Sequence, residues 1–329
     1  MKNLLARIQP RLLVATYPVN IIEAQLLYEA KASNIPTLLH LLSWDNITSK
    51  GRFPVIADYF ILWGSIMQQE LQEYYRIDDR KIQVCGVPHF DHYFPFKNGT
   101  AHEELLEIFG LNPKAPYLFF AMSAQRFSPY EIDIVEALAQ AIENNQLGTD
   151  TQLVIRPHPQ NVSGNMASQS WLKRLKILKS NRVAIDTPRL LKSNLRWSLQ
   201  QNDMTYLAKL LAGCQICLNS GSTISIEALL LDKPVIITSF DADHKVPYWK
   251  SARRLIDYTH LAKLIALGGI SVSRSFADLF QMISTYLGDP DHLQAERRHT
   301  AQQQCYQLDG QSTERAVAAI QQTLAQLDA

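Results

Sequence analysis

The stretch NSGSTISIEALLLDKPVIITSFD, residues 219–241, decides the reading of the fold. An apolar run, CQICL at 214–218, enters it as a strand. A turn of small polar residues then hands over to an apolar helix, expected over 223–231, and a second strand follows at 234–238. Near-continuous apolar strands spaced by helices are the pattern of parallel sheets covered on both faces.

The same alternation extends outward in both directions. Strands are expected at 12–16, 37–42, 58–63, 82–85, 117–122, 151–155 and 182–185, besides the two above. Helices are expected at 20–33, 65–75, 129–144, 168–179, 203–212 and 223–231. The turn-rich segments FPFKNGT and LNPKAP flank a short helix at 101–109 and mark a boundary. The expected organisation is a first domain over 1–98, a linker over 99–115, a second domain over 116–310 and a closing helix over 311–329. Ser312-Thr313 after LDG gives that helix an N-cap signal. No internal repeat or low-complexity segment is evident.

Of 329 residues, 47% are hydrophobic and 19% charged, which suits a globular chain with real cores. A formal net charge of +1 speaks against bulk electrostatic binding to nucleic acid. The basic run at 173–176 reads as a solvated helix face, with a membrane-surface contact as the minority alternative. Four scattered cysteines do not make a disulfide framework, and a reducing compartment is expected. CQIC at 214–217 has no second cysteine pair to complete a zinc site, so it reads as core. The N-terminus lacks the apolar core of a signal peptide, and no run reaches the ~18 apolar residues of a membrane span. The expected location is the cytoplasm, at most peripheral to the inner face of the membrane.

In open parallel sheets ligands sit beyond the carboxyl ends of the strands, so the loops directly after strands carry the information. After CQICL, Gly221 permits a sharp turn or close approach, and Ser222 reads as the N-cap. Ser220, Ser222 and Thr223 supply hydroxyl donors beside a helix N-terminus that favours an anion. Glu227, one turn in, could accept from a ribose. A plain capped helix explains the same residues. In VIRPHPQ, 154–160, two prolines brace Arg156, a fork for phosphate oxygens, and His158, a donor or an acid–base group. In SAQRFSPYE, 123–131, Ser123, Gln125 and Arg126 follow a strand, although Ser128, Pro129 and Glu131 also read as a helix start. In SWDNITSKG, 43–51, Trp44 is a floor for a sugar ring and Asp45 a base, with Asn46, Thr48, Ser49 and Lys50 as polar neighbours; a simple turn is the alternative. His89 and His92 in HFDH could touch a metal, but cleft lining or packing explains them better. DAD at 241–243 carries a metal-binding spacing in a context that does not fit it. No G-x-G-x-x-G follows a strand, against a dinucleotide oxidoreductase.

SWDNITSKG, DYFILWGSIMQQEL, IQVCGVPHFD, VIRPHP, NSGSTISIEALLLDKPVI and LDGQSTERA, in this order, resemble GT-B-type transferases of surface and capsular carbohydrate synthesis. They are also similar to the CDP-glycerol glycerophosphotransferase group and, more distantly, to UDP-N-acetylglucosamine 2-epimerases. The resemblance covers about residues 10 to 325. It implies an α/β chain of two Rossmann-like domains with parallel sheets, the N-terminal one short and incomplete relative to other GT-B proteins. It implies that Ser220–Thr223 and Arg156-Pro157-His158 hold donor phosphates, that Glu227 holds the ribose, and that the Trp44–Asn46 loop lines the reaction centre. The expected function is metal-independent transfer, without a cofactor, of a sugar or polyol phosphate from a nucleotide-activated donor to a glycan or lipid-linked acceptor. Asp45 and His158 are the candidate bases. A nucleotide-sugar 2-epimerase and a non-catalytic nucleotide-binding remnant that needs a partner chain are the alternatives; a homo-oligomer is a separate expectation.

Overall fold

Buried β-branched and leucine runs account for most strands of this protein, whose computed structural model describes residues 1–163, 167–191 and 198–327. The chain divides into two units, Met1–Asp91 with Ala301–Ala329, and His92–Thr300.

The first unit holds four parallel strands in the order β1-β2-β3-β4: β1 (Leu13–Ala15), β2 (Thr37–His40), β3 (Tyr59–Leu62) and β4 (Ile82–Val84). Helices Ile21–Ala32 and Ser65–Tyr75 make two of the crossovers that parallel pairing requires. The closing helix Ser312–Leu327 packs Ala316 and Ala319 against Leu38, Ile61 and Cys85. Its first turn is tied down from a distance: Asp91 accepts from the Ser312 amide at 3.0 Å and the Thr313 amide at 2.7 Å. Gly86 makes the approach possible, since at φ +86° a Cβ there would lie 2.5 Å from Ser312 Oγ.

The second unit holds six parallel strands in the order β10-β9-β8-β5-β6-β7. They are β5 (Tyr117–Ala121), β6 (Gln152–Arg156), β7 (Val183–Ile185), β8 (Ile216–Asn219), β9 (Val235–Thr238) and β10 (Ser271–Ser273). The chain winds one way from β5 to β7, returns to the far side of β5 at β8, and winds the other way to β10. This is the doubly wound Rossmann order, with its switch point between β5 and β8. Leu118, Phe120, Leu153, Ile155, Ile216 and Leu218 face the helix Glu131–Glu143 and its neighbours in one large core.

All nine expected strands are present. The domain division differs from the expected one. The helix Glu103–Ile108, expected inside a linker, buries Leu105 and Leu106 and lies against the helix Gln201–Gly213 of the second unit. Residues from 301 onward fold with the first unit, because their apolar face has the first sheet to cover. The strand β10 went unread because SVS is short and polar, and it pairs on one side only, with β9. The helix Gln294–Cys305 is polar on average, yet it buries Arg297, Thr300, Ala301, Gln304 and Cys305.

Candidate functional site

Ala121, the last residue of β5, pairs with Arg156 on one side and with Asn219 on the other. The loops after β5, β6 and β8 therefore leave the second sheet side by side at its switch point, where open α/β sheets take ligands. Nearly all the expected donor-binding residues lie on these three loops.

The turn after β8 is built by Asn219, which sequence reasoning passed over. Its Oδ1 accepts from the amides of Gly221 at 2.7 Å and Ser222 at 3.1 Å and from Ser225 Oγ at 3.1 Å. An Asn ahead of Ser-Gly is an Asx-turn signal, so the sequence did carry the clue. Gly221 takes φ +95°, and a Cβ there would lie 2.5 Å from Leu261 Cδ2. Ser222 is not the N-cap: the cap position is Thr223, and its side chain makes no capping bond. The helix that follows, Ile224–Leu230, has seven residues. Two of the turn's amides are thus occupied by the chain itself; those of Thr223 and Ile224 have no hydrogen-bond partner among the described residues.

Ser220 points inward rather than toward a ligand. Its hydroxyl donates to Glu131 Oε1 and lies 3.1 Å from Thr238 Oγ1. Glu131 also accepts from the Ser123 amide at 2.7 Å. Burial pushes the Glu131 carboxyl up to about 7, against which the Ser220 and Ser123 bonds pull it down. Glu131 is therefore a keystone joining the β5 and β8 loops from below, not only a residue of a helix start.

Arg156 is corrected from a phosphate ligand to a buried strut. Its guanidinium is paired with both Asp186 and Asp203, and only 5% of the residue is exposed. It ends β6 with its side chain on the covered face of the sheet, where two carboxylates are waiting. Glu227 is corrected likewise. It is buried, and the Tyr93 hydroxyl donates to its Oε2, so it does not present a carboxylate to a ribose. Burial raises Glu227 to about 7, opposed by the Tyr93 bond and the Arg156 charge. Burial, then the Glu227 charge, holds the Tyr93 hydroxyl far above its ordinary range.

His158 caps the short helix Pro159–Val162, its Nδ1 accepting from the Gln160 amide at 3.1 Å. Burial, then the charge of Arg126, pushes His158 down to about 4. The ring is neutral at pH 7, and with Nδ1 accepting, its proton sits on Nε2. That tautomer donates a hydrogen bond and does not accept a proton, so its geometry suits an anion's oxygen better than the base role. Arg126 is exposed and lies over the Phe127 ring at 4.7 Å. Among the described residues it is the cation left available on these loops. Asn161, also unread from sequence, ties the β5 loop down: it donates to the Ser123 carbonyl at 2.9 Å and accepts from the Gln125 amide at 3.1 Å.

In the first unit the loop after β2 is more tightly knit than expected. Trp44 is buried, so its ring is not an open floor for a sugar. Asp45 accepts from Ser43 Oγ at 2.6 Å and pairs with Lys50 at 3.0 Å, which occupies both carboxylate oxygens. Asn46 is buried; its Oδ1 and Thr48 Oγ1 have no hydrogen-bond partner among the described residues. His89 is exposed, its ring 5.5 Å from Trp63 and 4.5 Å from Phe90. Asp241 is structural: it accepts from Ser251 Oγ and from the Ala252 amide at 2.8 Å. All four cysteines are free and buried. Among the described residues no helix is long and apolar enough to cross a membrane.

Comparison with solved structures gives the fold independently. Staphylococcus aureus MnaA with UDP is 14% identical with a TM-score of 0.63, covering 98% of this chain and 79% of its own. The UDP-GlcNAc 2-epimerase of Neisseria meningitidis bound to UDP-GlcNAc is 12% identical with a TM-score of 0.59, covering 98% and 78%. The wall teichoic acid polymerase TagF, as the H444N variant with CDPG, is 13% identical with a TM-score of 0.58, covering 96% and 73%. At such identity these likenesses speak for the two-domain GT-B architecture alone. No curated protein sequence matches significantly. The sequence profile of the CDP-glycerol:poly(glycerophosphate) glycerophosphotransferases matches residues 52–322, most of the chain and all three switch-point loops. This protein belongs to the CDP-glycerol:poly(glycerophosphate) glycerophosphotransferase family.

Proposed function

We propose that this chain transfers a polyol phosphate, or a sugar, from a nucleotide-activated donor to a glycan or lipid-linked acceptor. The observation that carries the reading is the register at Ala121, which brings the loops of Arg126, His158 and Ser222 together at the switch point in a member of this family. The donor's phosphates are assigned to the neutral His158 Nε2–H, the Arg126 guanidinium, the Ser222 hydroxyl and the unoccupied amides of Thr223 and Ile224. Fixed donors of this kind stabilise charge that grows on a leaving phosphate. In this reading the protein supplies that stabilisation itself, and activity persists in excess EDTA. Asp45 stays a candidate base on the acceptor side, provided the acceptor displaces Lys50 from its carboxylate. The epimerase alternative draws on likeness of fold only, whereas the transferase reading draws on the family.

The test is calorimetric titration of the chain with CDP, UDP, GDP and CMP, with and without divalent metal. Arg126→Ala and Ser222→Ala should each weaken the binding of the preferred nucleotide by roughly 1 to 3 kcal/mol, the scale of a lost charge-assisted hydrogen bond. Unaltered affinity in both variants would remove the switch-point loops from the donor site. Product formed from the nucleotide donor with no acceptor present would favour the epimerase.

A further inference from the structure

A second cluster of cations lies outside the loops just described. Beyond the carboxyl ends of β9 and β10 a cavity of about 500 Å³ is lined by Lys245, Arg253 and Arg274 together with Phe240, Asp241 and Val246. The three cations come from two chain segments, 245–253 after β9 and residue 274 after β10. Lys245 and Arg274 are exposed, and their side chains have no ion-pair or hydrogen-bond partner among the described residues. Arg253 is steered by its neighbours: its Nε donates to Ser251 Oγ at 3.0 Å and lies 4.0 Å from Asp241. Asp241 lines the cavity beside Arg253 but is buried and bonded to Ser251 and Ala252, and it pairs with neither Lys245 nor Arg274. His244, at the rim, is already engaged by Asp133 at 2.8 Å. Three cations converging on one concavity, two of them unpaired, repel one another unless an anion joins them.

We propose that Lys245, Arg253 and Arg274 form a separate subsite for a phosphate ester. Arg274 follows β10, two strand spacings or roughly 10 Å from β8, while the other lining residues follow β9, one spacing away. None of them belongs to the Ser220–Thr223 turn, so the cavity takes a different anionic group from the one assigned to that turn. Guanidinium forks and an ammonium suit the oxygens of a phosphomonoester or phosphodiester. Two sources share that chemistry: a phosphorylated acceptor, and a phosphate carried by the donor. The inference stands on the charge and shape of this cavity and does not need the transferase reading.

Calorimetry of the full chain with glycerol phosphate and with CDP separates the outcomes. Lys245→Ala and Arg274→Ala should each weaken glycerol phosphate about tenfold, and the double variant more, as the loss of charge-assisted bonds predicts. The losses in Lys245→Ala and Arg274→Ala should be the same size in a Ser222→Ala background, since the two clusters share no residue. If CDP alone loses affinity in the double variant, the subsite stands and belongs to the donor. The proposal is overturned if the wild type binds neither compound. It is also overturned if a double variant that melts like the wild type binds both as tightly. Lys250, exposed with its ammonium 4.6 Å from the Trp249 ring, lies outside the cavity and is the control. An equal loss in Lys250→Ala would mean general charge attraction and would also overturn the site. Arg274→Gln serves if the alanine variant does not fold.

Discussion

Two arginines thirty residues apart exchange the roles that their sequence context suggests. Arg156 sits in a proline-braced motif and is buried between Asp186 and Asp203, whereas Arg126 sits in an ordinary-looking helix start and is exposed. Removing one member of a buried ion pair leaves uncompensated charge, at a cost of about 3–5 kcal/mol. Arg156→Ala should therefore lower the melting temperature sharply, while Arg126→Ala should change nucleotide affinity and leave melting alone. A melting curve for Arg156→Ala that matches the wild type would refute the strut role. Asn219 is a similar case at smaller scale. Asn219→Ala should cost about 1–2 kcal/mol, the range for losing a capping side chain, with Asn219→Asp recovering most of it. Denaturant titration of the two variants decides this.

The element that matters most is the turn between β8 and the helix Ile224–Leu230. Its backbone needs a positive φ at Gly221, and the helix Thr259–Ala266 leaves no room for a side chain there, since Leu261 lies against it. Gly221→Ala should destabilise by about 1–2 kcal/mol from the backbone conformation alone. Adding Leu261→Ala relieves the crowding but not that conformation, so the double variant should not return to wild-type stability in a denaturant titration. The closing helix Ser312–Leu327 is a second such element. Its amphipathic sequence predicts a helix, but only the first sheet explains why residues from 301 onward leave the second unit.

For the whole molecule, buried carboxyls give stability a pH dependence of definite sign. Glu131 and Glu227 hold their protons up to about 7 in the native state, against an ordinary value of 4.5. Between those values the native chain binds more protons than the unfolded chain. Their contribution is thus full below 4.5 and is lost as pH rises through about 7, on the order of 3 kcal/mol for each. His158, pushed down to about 4 from 6.5, acts the other way: its contribution is present above 6.5 and is lost as pH falls toward 4. The isosteric Glu131→Gln stays neutral at every pH, so its stability relative to the wild type should improve steadily from pH 5 to 8. The same pH dependence for the two proteins across that range would show that Glu131 is ionised in the native state as it is in the unfolded chain, and that burial does not raise it.

The alternation of apolar runs and helical patterns by itself determined the parallel α/β architecture, because strands buried on both faces must be apolar along their whole length. It also determined which loops matter, since the carboxyl ends of such strands are known once the strands are. What the side chains of those loops do was decided only by tertiary structure. Arg156, Ser220 and Glu227 are polar residues in ligand-like positions, yet each meets a buried partner from elsewhere in the chain: Asp186 and Asp203, Glu131, and Tyr93. Those partners lie 30 to 134 residues away. Local spacing fixes the direction in which a side chain leaves the backbone, but not what the folded chain brings to meet it.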